Sequence, residues 1–220
     1  FALSASLDSH HRGTHMSRFI EQLQAVYQDI SLISWNRFPE QIASVLEALR
    51  ADTKVRFALF REVSAPHTKK VGMQAADIQL LSRWTRRSGS TLNLRLSLPV
   101  ATVCPCSREI SERGAHNQRG TVTVSGTVAQ QRLSELSLLD TVTALEGCAS
   151  VPLYPLLKRS DEKLVTEQGY DHAKFVEDVA RDVVLLTREL NIFSDFTIEV
   201  ENQESIHTHN AFAIIQEAVG

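Results

Sequence analysis

The chain has 220 residues, of which 43% are hydrophobic and 22% are charged, a composition typical of one or two globular modules. Its 26 acidic and 23 basic side chains give a net charge of −3, so bulk charge does not favour binding to nucleic acid or to a membrane surface. We expect neither a transmembrane helix nor a signal peptide, because no apolar run is long enough and no basic segment precedes an apolar one at the start.

The first part of the sequence predicts two helices followed by two strands. Apolar residues recur at helical spacing over residues 16–30. A second helix is predicted to begin at Pro39, because proline suits the first turn of a helix. Apolar and polar side chains then alternate, which predicts strands over residues 55–61 and 76–84.

The second part predicts strands on both sides of a group of helices. Residues 92–98 alternate leucine with polar side chains and give the clearest strand pattern in the chain. Further strands are predicted over residues 121–128, 196–200 and 211–215, and helices over residues 134–145 and 171–190, the last with Asp171 as its N-cap.

The order of these elements predicts an α+β fold with an antiparallel sheet. Strands come in hairpins and helices come in pairs, whereas a parallel sheet would need strands and helices in alternation. The polar stretch 86–90 contains glycine and serine and is the predicted boundary between two similar modules, residues 1–88 and 89–220.

Two of the three cysteines, Cys104 and Cys106, lie one residue apart, and His116 follows them in the sequence. A disulfide between the two would be strained, and free thiols suit a reducing compartment, so we expect a cytoplasmic protein. Two thiols and an imidazole suit a transition metal, and a catalytic metal site needs only three protein ligands. The spacing alone leaves a second interpretation open, a turn with buried thiols.

Two further stretches carry groups suited to chemistry. Residues 201–210 contain acidic side chains and two histidines, and Glu204 and His207 are three residues apart, which places them on one side of a turn. Lys158 and Arg159 are suited to holding an anionic ligand. A solvated loop and an ordinary charged helix start remain the alternatives. The glycine-rich phosphate loops of nucleotide-binding folds are absent from the sequence.

Taken together, these stretches resemble the type IB GTP cyclohydrolases, the bacterial alternative form of the first enzyme of folate biosynthesis. Five separated blocks carry the resemblance, in family order and over nearly the whole chain. They are residues 13–19 (GTHMSRF), 104–107 (CPCS), 114–120 (GAHNQRG), 157–163 (LKRSDEK) and 204–207 (ESIH).

The resemblance implies a tunnelling fold, with two strand–strand–helix–helix–strand–strand modules in one subunit and a homotetramer whose active sites lie at subunit interfaces. It implies that GTP and water give 7,8-dihydroneopterin triphosphate and formate, while the net charge of −3 already favours neither nucleic acid nor membrane as partner. A divalent metal (Zn²⁺, Mn²⁺ or Fe²⁺) is implied as cofactor. The metal ligands implied are Cys104, His116, Glu162 and His207, and Cys106 remains an alternative thiol ligand.

The same resemblance assigns roles around the metal. Cys104, Glu204 and His207 are the catalytic candidates, with Glu204 as the proton-transfer partner. Glu177 is the candidate that anchors guanine, because a carboxylate accepts two parallel N–H bonds that adenine cannot offer. The candidates for binding the triphosphate are Arg18, Lys158, Arg159 and Arg119.

Three alternatives stay open at this point. A variant of the same family would give a cyclic phosphate product. A nitrile reductase acting on a 7-deazaguanine has the same fold, but residues 204–207 lack the lysine of that family's Glu-Ser-Lys motif. The third alternative is a purine-binding protein without catalytic activity.

Overall fold

The computed structural model describes residues 1–10, 13 and 15–218. In these residues seven strands form one antiparallel sheet, and their order in the sheet is their order in the chain. The strands are β1 (Ala2–Ala5), β2 (Arg50–Ser64), β3 (Val71–Thr85), β4 (Gly89–Val103), β5 (Asn117–Val128), β6 (Phe193–Gln203) and β7 (Ala211–Ala218). The helices are α1 (Met16–Val26), α2 (Leu32–Val45), α3 (Pro105–Ile110), α4 (Leu138–Glu146), α5 (Arg159–Asp171) and α6 (Val176–Leu190).

One face of the sheet is buried under helices. Along β4 every second side chain from Leu92 to Val100 is at most 2% exposed, as the leucine alternation predicts. Trp35, Phe38 and Ile42 from α2 belong to the same core as these side chains, as do Val179 and Val183 from α6. The hydrophobic core therefore runs continuously from the first half of the chain to the second.

The predicted α+β class and the antiparallel sheet are confirmed. The order of elements in the second half differs from the prediction, because the short helix α3 lies between β4 and β5 and three helices, not two, lie between β5 and β6. Residues 86–88 form the tight turn between β3 and β4, which pair with each other in the common sheet. The division into modules at residue 88 stays a prediction, as does the assembly into an oligomer. Within the described residues, no helix has both the length and the hydropathy needed to cross a membrane.

The predicted helix start at Pro39 is wrong, because α2 begins seven residues earlier, after Ser31. The Ser31 hydroxyl accepts a hydrogen bond from the Ser34 N–H at 3.1 Å, and the Ser34 hydroxyl accepts one from the Ser31 N–H at 2.8 Å. This reciprocal capping satisfies N–H groups that the helix itself cannot pair. Pro39 lies buried inside the helix, at a position where a proline leaves one hydrogen bond of the helix unmade.

The predicted N-cap at Asp171 is also wrong, since Asp171 is the last residue of α5. The following helix α6 begins at Val176, where the Asp178 carboxylate accepts a hydrogen bond from the Phe175 N–H at 3.0 Å. The sequence pattern merged the end of one helix with the start of the next. The helix predicted over 134–145 is confirmed in its second part, because α4 begins after the capping residue Ser137.

The hairpin formed by β2 and β3 separates from β4 beyond the pair Asp77 and Ser97, which is the last pair that joins β3 to β4. The segment 151–157 lies beside this hairpin. A Cβ at Gly72 would lie 2.5 Å from the ring of Pro155, so only glycine allows this close approach. Arg61 in β2 also forms an ion pair with buried Glu146 at the end of α4.

Thr53 in β2 offers a test of the core. Its side chain is fully buried, and its hydroxyl has no hydrogen-bond partner among the residues that the structure describes. Thr53→Val removes a desolvated hydroxyl and keeps the shape, so the free energy of unfolding should rise by about 1 kcal/mol. Urea unfolding followed by circular dichroism measures this change.

Thr102→Val is the matched control, because the Thr102 hydroxyl is equally buried but donates to Gln118 Oε1 at 2.9 Å. This second substitution should lower the free energy of unfolding. Equal effects of the two substitutions would contradict the assignment of the Thr53 hydroxyl as unpartnered.

Candidate active site

The candidate site is built around the adjacent ends of β4 and β5. Val103 pairs with Asn117 in the sheet, and the Cys104 N–H then donates to the His116 carbonyl at 3.1 Å. The Ser107 hydroxyl donates to the Cys104 carbonyl at 3.0 Å and accepts from the His116 N–H at 3.1 Å. Two of the four predicted metal ligands are therefore neighbours, each half-buried.

The turn that follows β6 reaches the same place. The Ser205 hydroxyl lies 3.2 Å from His116 Nδ1, and Gln118 Nε2 donates to Glu204 Oε1 through a short hydrogen bond. Glu204 is therefore held beside the Cys104 and His116 pair. His207 lies on the exposed part of this turn, with its ring stacked on His209 at 5.2 Å between centroids.

Helix α5 and the segment before it line a cleft of 540 Å³ at this end of the sheet, within the range of about 300–1,000 Å³ that small-molecule sites occupy. Glu162 lies one turn before Val165 and Thr166, which line the cleft, and therefore on the same face of α5. The wall opposite α5 consists of sheet and loop residues, among them Val103, Gly114, Ala115, Asn117, Gln118 and Arg119.

Lys158 and Arg159 lie at the start of α5, beside Leu157 of the cleft wall. Both side chains are exposed, and the described residues provide neither a hydrogen bond nor an ion pair to their cationic groups. Arg119 itself lines the cleft. Three of the four predicted triphosphate-binding cations thus lie on or beside one cleft.

Arg18, the fourth predicted cation, lies elsewhere in the subunit. Its guanidinium donates to the Val45 carbonyl at 3.0 Å, at the last residue of α2. Val45 precedes the start of β2, whereas Cys104 follows the far end of β4, and β4 spans 15 residues. At the rise of about 3.3 Å per residue in a strand, Arg18 is at the opposite end of the sheet.

Glu177, the predicted guanine anchor, lies in the first turn of α6. The Lys174 N–H donates to the Val103 carbonyl at 3.1 Å, which ties this helix start to the end of β4 beside Cys104. The Glu177 side chain is exposed, and its carboxylate has no partner among the described residues. It is therefore available to a ligand at the same end of the sheet.

The donor chemistry of the predicted metal ligands, a thiolate, imidazoles and a carboxylate, fits Zn²⁺, Mn²⁺ or Fe²⁺. In the described residues, however, no three His, Cys, Asp or Glu side chains come close enough together to hold a metal ion. Cys104 and His116 are joined by a backbone hydrogen bond, whereas Glu162 lies on α5 and His207 lies on an exposed turn. The four-ligand set stays a prediction.

Asp161 was not among the sequence candidates, yet it is fully buried at the start of α5. Its carboxylate accepts from the N–H groups of His67 and Thr68 at 2.8 Å each, from the Thr68 hydroxyl at 2.6 Å, and from the Lys158 N–H at 3.0 Å. The tip of the β2–β3 hairpin is thus fastened to the helix start that carries Lys158, Arg159 and Glu162. Asp161 is the third residue of α5, a position at which acidic side chains commonly cap a helix start, and this was the signal in the sequence that could have identified it.

Gln118 is the second residue that the sequence candidates omit. It lies buried in β5, where its side chain contacts Thr102, Asn202 and Glu204. The signal in the sequence was that Gln118 is polar although it lies on the same face of β5 as the core side chains Val122 and Val124.

Asp161 gives a pH-dependent prediction. Burial alone would raise the pKa of its carboxyl, but the hydrogen bonds from Thr68, Lys158 and His67 outweigh burial and lower the pKa well below its ordinary value of 3.8. Because the folded-state pKa is lowered, this carboxylate stabilises the fold above pH 3.8, and the contribution disappears as the pH falls towards the folded pKa.

Asp161→Asn should therefore lower the unfolding temperature at neutral pH and flatten the loss of stability between neutral and acidic pH. Asp171→Asn on the same helix is the control, because the Asp171 carboxylate is exposed and has no described partner. Calorimetry over a pH series makes the measurement. Identical profiles for the two variants would refute this role of Asp161.

Comparison with known proteins identifies the family. A family model described as "Type I GTP cyclohydrolase folE2" matches residues 1–213. The GTP cyclohydrolase FolE2 of Oceanobacillus iheyensis is 39% identical over 221 residues, covering 98% of this chain and 73% of the relative. That of Syntrophotalea carbinolica is 40% identical over 211 residues, covering 96% and 77%.

Among solved structures, the uricase of Arthrobacter globiformis matches with a TM-score of 0.49 at 7% identity, over 92% of this chain and 74% of that one. The matches in sequence confirm the resemblance read from the five blocks and favour it over the nitrile reductases. The chain belongs to the type I GTP cyclohydrolase FolE2 family.

Proposed function

We propose that this GTP cyclohydrolase converts GTP and water to 7,8-dihydroneopterin triphosphate and formate, the first step of folate biosynthesis, at the end of the sheet where β4 and β5 meet. The observation that carries the placement is the backbone pairing of Cys104 with His116 beside Glu204. These groups lie at the edge of a cleft lined by Arg119 and by α5, which begins with Lys158 and Arg159 next to it.

Guanine C8 is a poor electrophile, so a site that opens the imidazole ring needs an activated water and a proton donor for N7. A divalent metal held by Cys104 and His116, with Glu162 and His207 completing the set, would supply hydroxide at neutral pH. Cys106 is the alternative thiol ligand. Glu204 is hydrogen-bonded to Gln118 near Cys104 and His116 and is suited to carry the proton between the attacking water and the purine.

Glu177 is the proposed anchor of the guanine base. A carboxylate accepts from guanine N1–H and from the N2 amino group in parallel, and adenine lacks that pair of donors. The exposed carboxylate in the first turn of α6 is not committed to another described group, so binding guanine breaks no existing hydrogen bond.

The triphosphate would lie towards the start of α5, where Lys158 and Arg159 are free of other described partners and Arg119 faces the cleft. Arg18 is too far from this cleft to act within the same subunit. We therefore propose that Arg18 serves the site of a neighbouring subunit, in a homotetramer with active sites at its interfaces.

The three cysteines are free thiols, which suits a reducing compartment, and we infer a cytoplasmic location on that basis. The net charge of −3 favours neither nucleic acid nor membrane as a partner. The proposed partners are GTP and further copies of the chain.

Cys104→Ala tests the placement of the reaction. Wild-type protein titrated with Mn²⁺ or Zn²⁺ should release formate from GTP, and the mass of the product should be that of 7,8-dihydroneopterin triphosphate and not of a cyclic phosphate. Cys104→Ala should abolish formate release and lower the bound metal measured by mass spectrometry, without changing the oligomer.

Cys148→Ala is the matched control. Burial and the neighbouring Asp182 carboxylate raise the pKa of the Cys148 thiol to about 11, so it stays protonated at neutral pH. This variant should keep both metal and activity. Full activity in Cys104→Ala would remove Cys104 from the proposed site.

Glu177→Gln tests guanine recognition, because an amide offers one acceptor and one donor where guanine requires two acceptors. The value of kcat/KM for GTP should fall by about 10- to 100-fold, the loss expected for a hydrogen bond to a charged group. Glu189→Gln on the same helix is the control, since Glu189 is exposed near the other end of α6. Equal steady-state kinetics for both variants would contradict the role of Glu177.

A further inference from the structure

The covered face of the sheet changes from apolar to polar at the catalytic end of three neighbouring strands. In β4 the buried Val100 is followed on that face by Thr102, and in β6 Val200 is followed by Asn202. In β5 the same face carries Gly120 and then Gln118. Thr102, Gln118 and Asn202 are 0%, 8% and 1% exposed, so water contributes little to their hydrogen bonding.

The hydrogen bonds in this cluster fix the orientation of the Gln118 amide. Its oxygen Oε1 accepts from the Thr102 hydroxyl at 2.9 Å and from Asn202 Nδ2 at 3.5 Å. A rotated amide would direct its own N–H groups at the Asn202 donor and its oxygen at the Glu204 carboxylate, which can only accept, whereas the Thr102 hydroxyl could bond to either end. The Gln118 Nε2 group must therefore point the other way, towards Glu204 Oε1, to which it donates.

Gly120 makes room for this arrangement. A Cβ at residue 120 would lie 2.5 Å from Asn202 Oδ1, so any larger residue would displace the amide that supports Gln118. Two successive residues of the turn after β6 are thus hydrogen-bonded to the start of β5. Glu204 bonds to Gln118, and Ser205 bonds to His116, which immediately precedes the strand.

We propose that Gln118 is a positioning residue for the reaction, which orients the Glu204 carboxylate beside Cys104 and His116, with Thr102 fixing the Gln118 amide from behind. The role rests on the proposed function of Glu204 in proton transfer. Gln118 also lines the cleft, but the role proposed here acts through Glu204: because its Nε2 occupies one oxygen of the carboxylate, it determines which way the other oxygen faces.

A double-mutant cycle tests this dependence. Gln118→Leu should lower kcat for formate release by about 10- to 100-fold, as expected for loss of a hydrogen bond to a charged group, with a smaller change in KM for GTP. In a Glu204→Gln background the same substitution should change kcat by no more than about twofold, because the group it orients is already altered. Equal fold losses in both backgrounds would overturn the proposal.

Thr102 gives a milder test that keeps the core shape. Thr102→Ser retains the hydroxyl and should keep kcat within about twofold of wild type, whereas Thr102→Val should lower kcat like Gln118→Leu but less. Thr53→Val is the matched control, since it changes a buried threonine outside the cluster and should leave kcat unchanged. Wild-type kcat in Thr102→Val and in Gln118→Leu would overturn the proposal.

A readout without substrate separates this proposal from the proposed function. The backbone order parameters of residues 204–207, measured by NMR relaxation, should fall in Gln118→Leu relative to the wild type, because one of the two side-chain hydrogen bonds that hold the turn is lost. Unchanged order parameters would overturn the role of Gln118 in holding the turn. Wild-type protein that releases no formate would instead remove the proposed function, whatever the order parameters show.

Discussion

The hydrogen bond from the Cys104 N–H to the His116 carbonyl continues the β4–β5 ladder beyond the strands, and the candidate site depends on it. The β5–β6 register adds the second constraint, since it places Gln203 opposite Arg119 and so brings Glu204 to Gln118. Side chains alternate between faces, so a shift of one residue in either register would turn these groups away from one another. The relative positions of these side chains therefore depend on the registers of two strand pairs, β4–β5 and β5–β6.

Much of the fold could be predicted from local patterns. The alternation from Leu92 to Leu98 is a property of neighbouring residues, and it identified β4 without knowledge of its partners. Helix starts were harder because they depend on competing caps. Pro39 suits a first turn, but the Ser31 and Ser34 pair lies upstream and caps α2 earlier. Helix α5 carries mostly polar residues, so it has no apolar spacing that predicts a helix, and its last residue, Asp171, resembles an N-cap for α6.

The sequence could predict which residues belong to the candidate site, but not how they are arranged in space. The five sequence blocks identified Cys104, His116 and Glu204, but their proximity follows from strand register, which sequence alone does not reveal. Gln118 and Asp161 were missed for the same reason. A buried glutamine or aspartate can be recognised once its partners are known. Three of the four hydrogen bonds to Asp161 come from a hairpin tip more than ninety residues away in the sequence. Glu162 and His207 are the opposite case. The sequence blocks predict that they share a metal ion with Cys104 and His116, but in the described residues of one subunit no three such side chains lie close together.

The strand order, which follows the chain from β1 to β7, also bears on how the protein folds. Short turns join β2 to β3 and β3 to β4. Pairing within these hairpins therefore closes only short loops and costs little conformational entropy. Strands β5 and β6 are separated by residues 129–192, with three helices between them, and their pairing closes a long loop. Contacts between residues far apart in the sequence form slowly, so we expect β6 to join the sheet after the hairpins have formed. That pairing also brings Glu204 to Gln118, so we expect the β2–β3–β4 hairpins to form before the candidate site does.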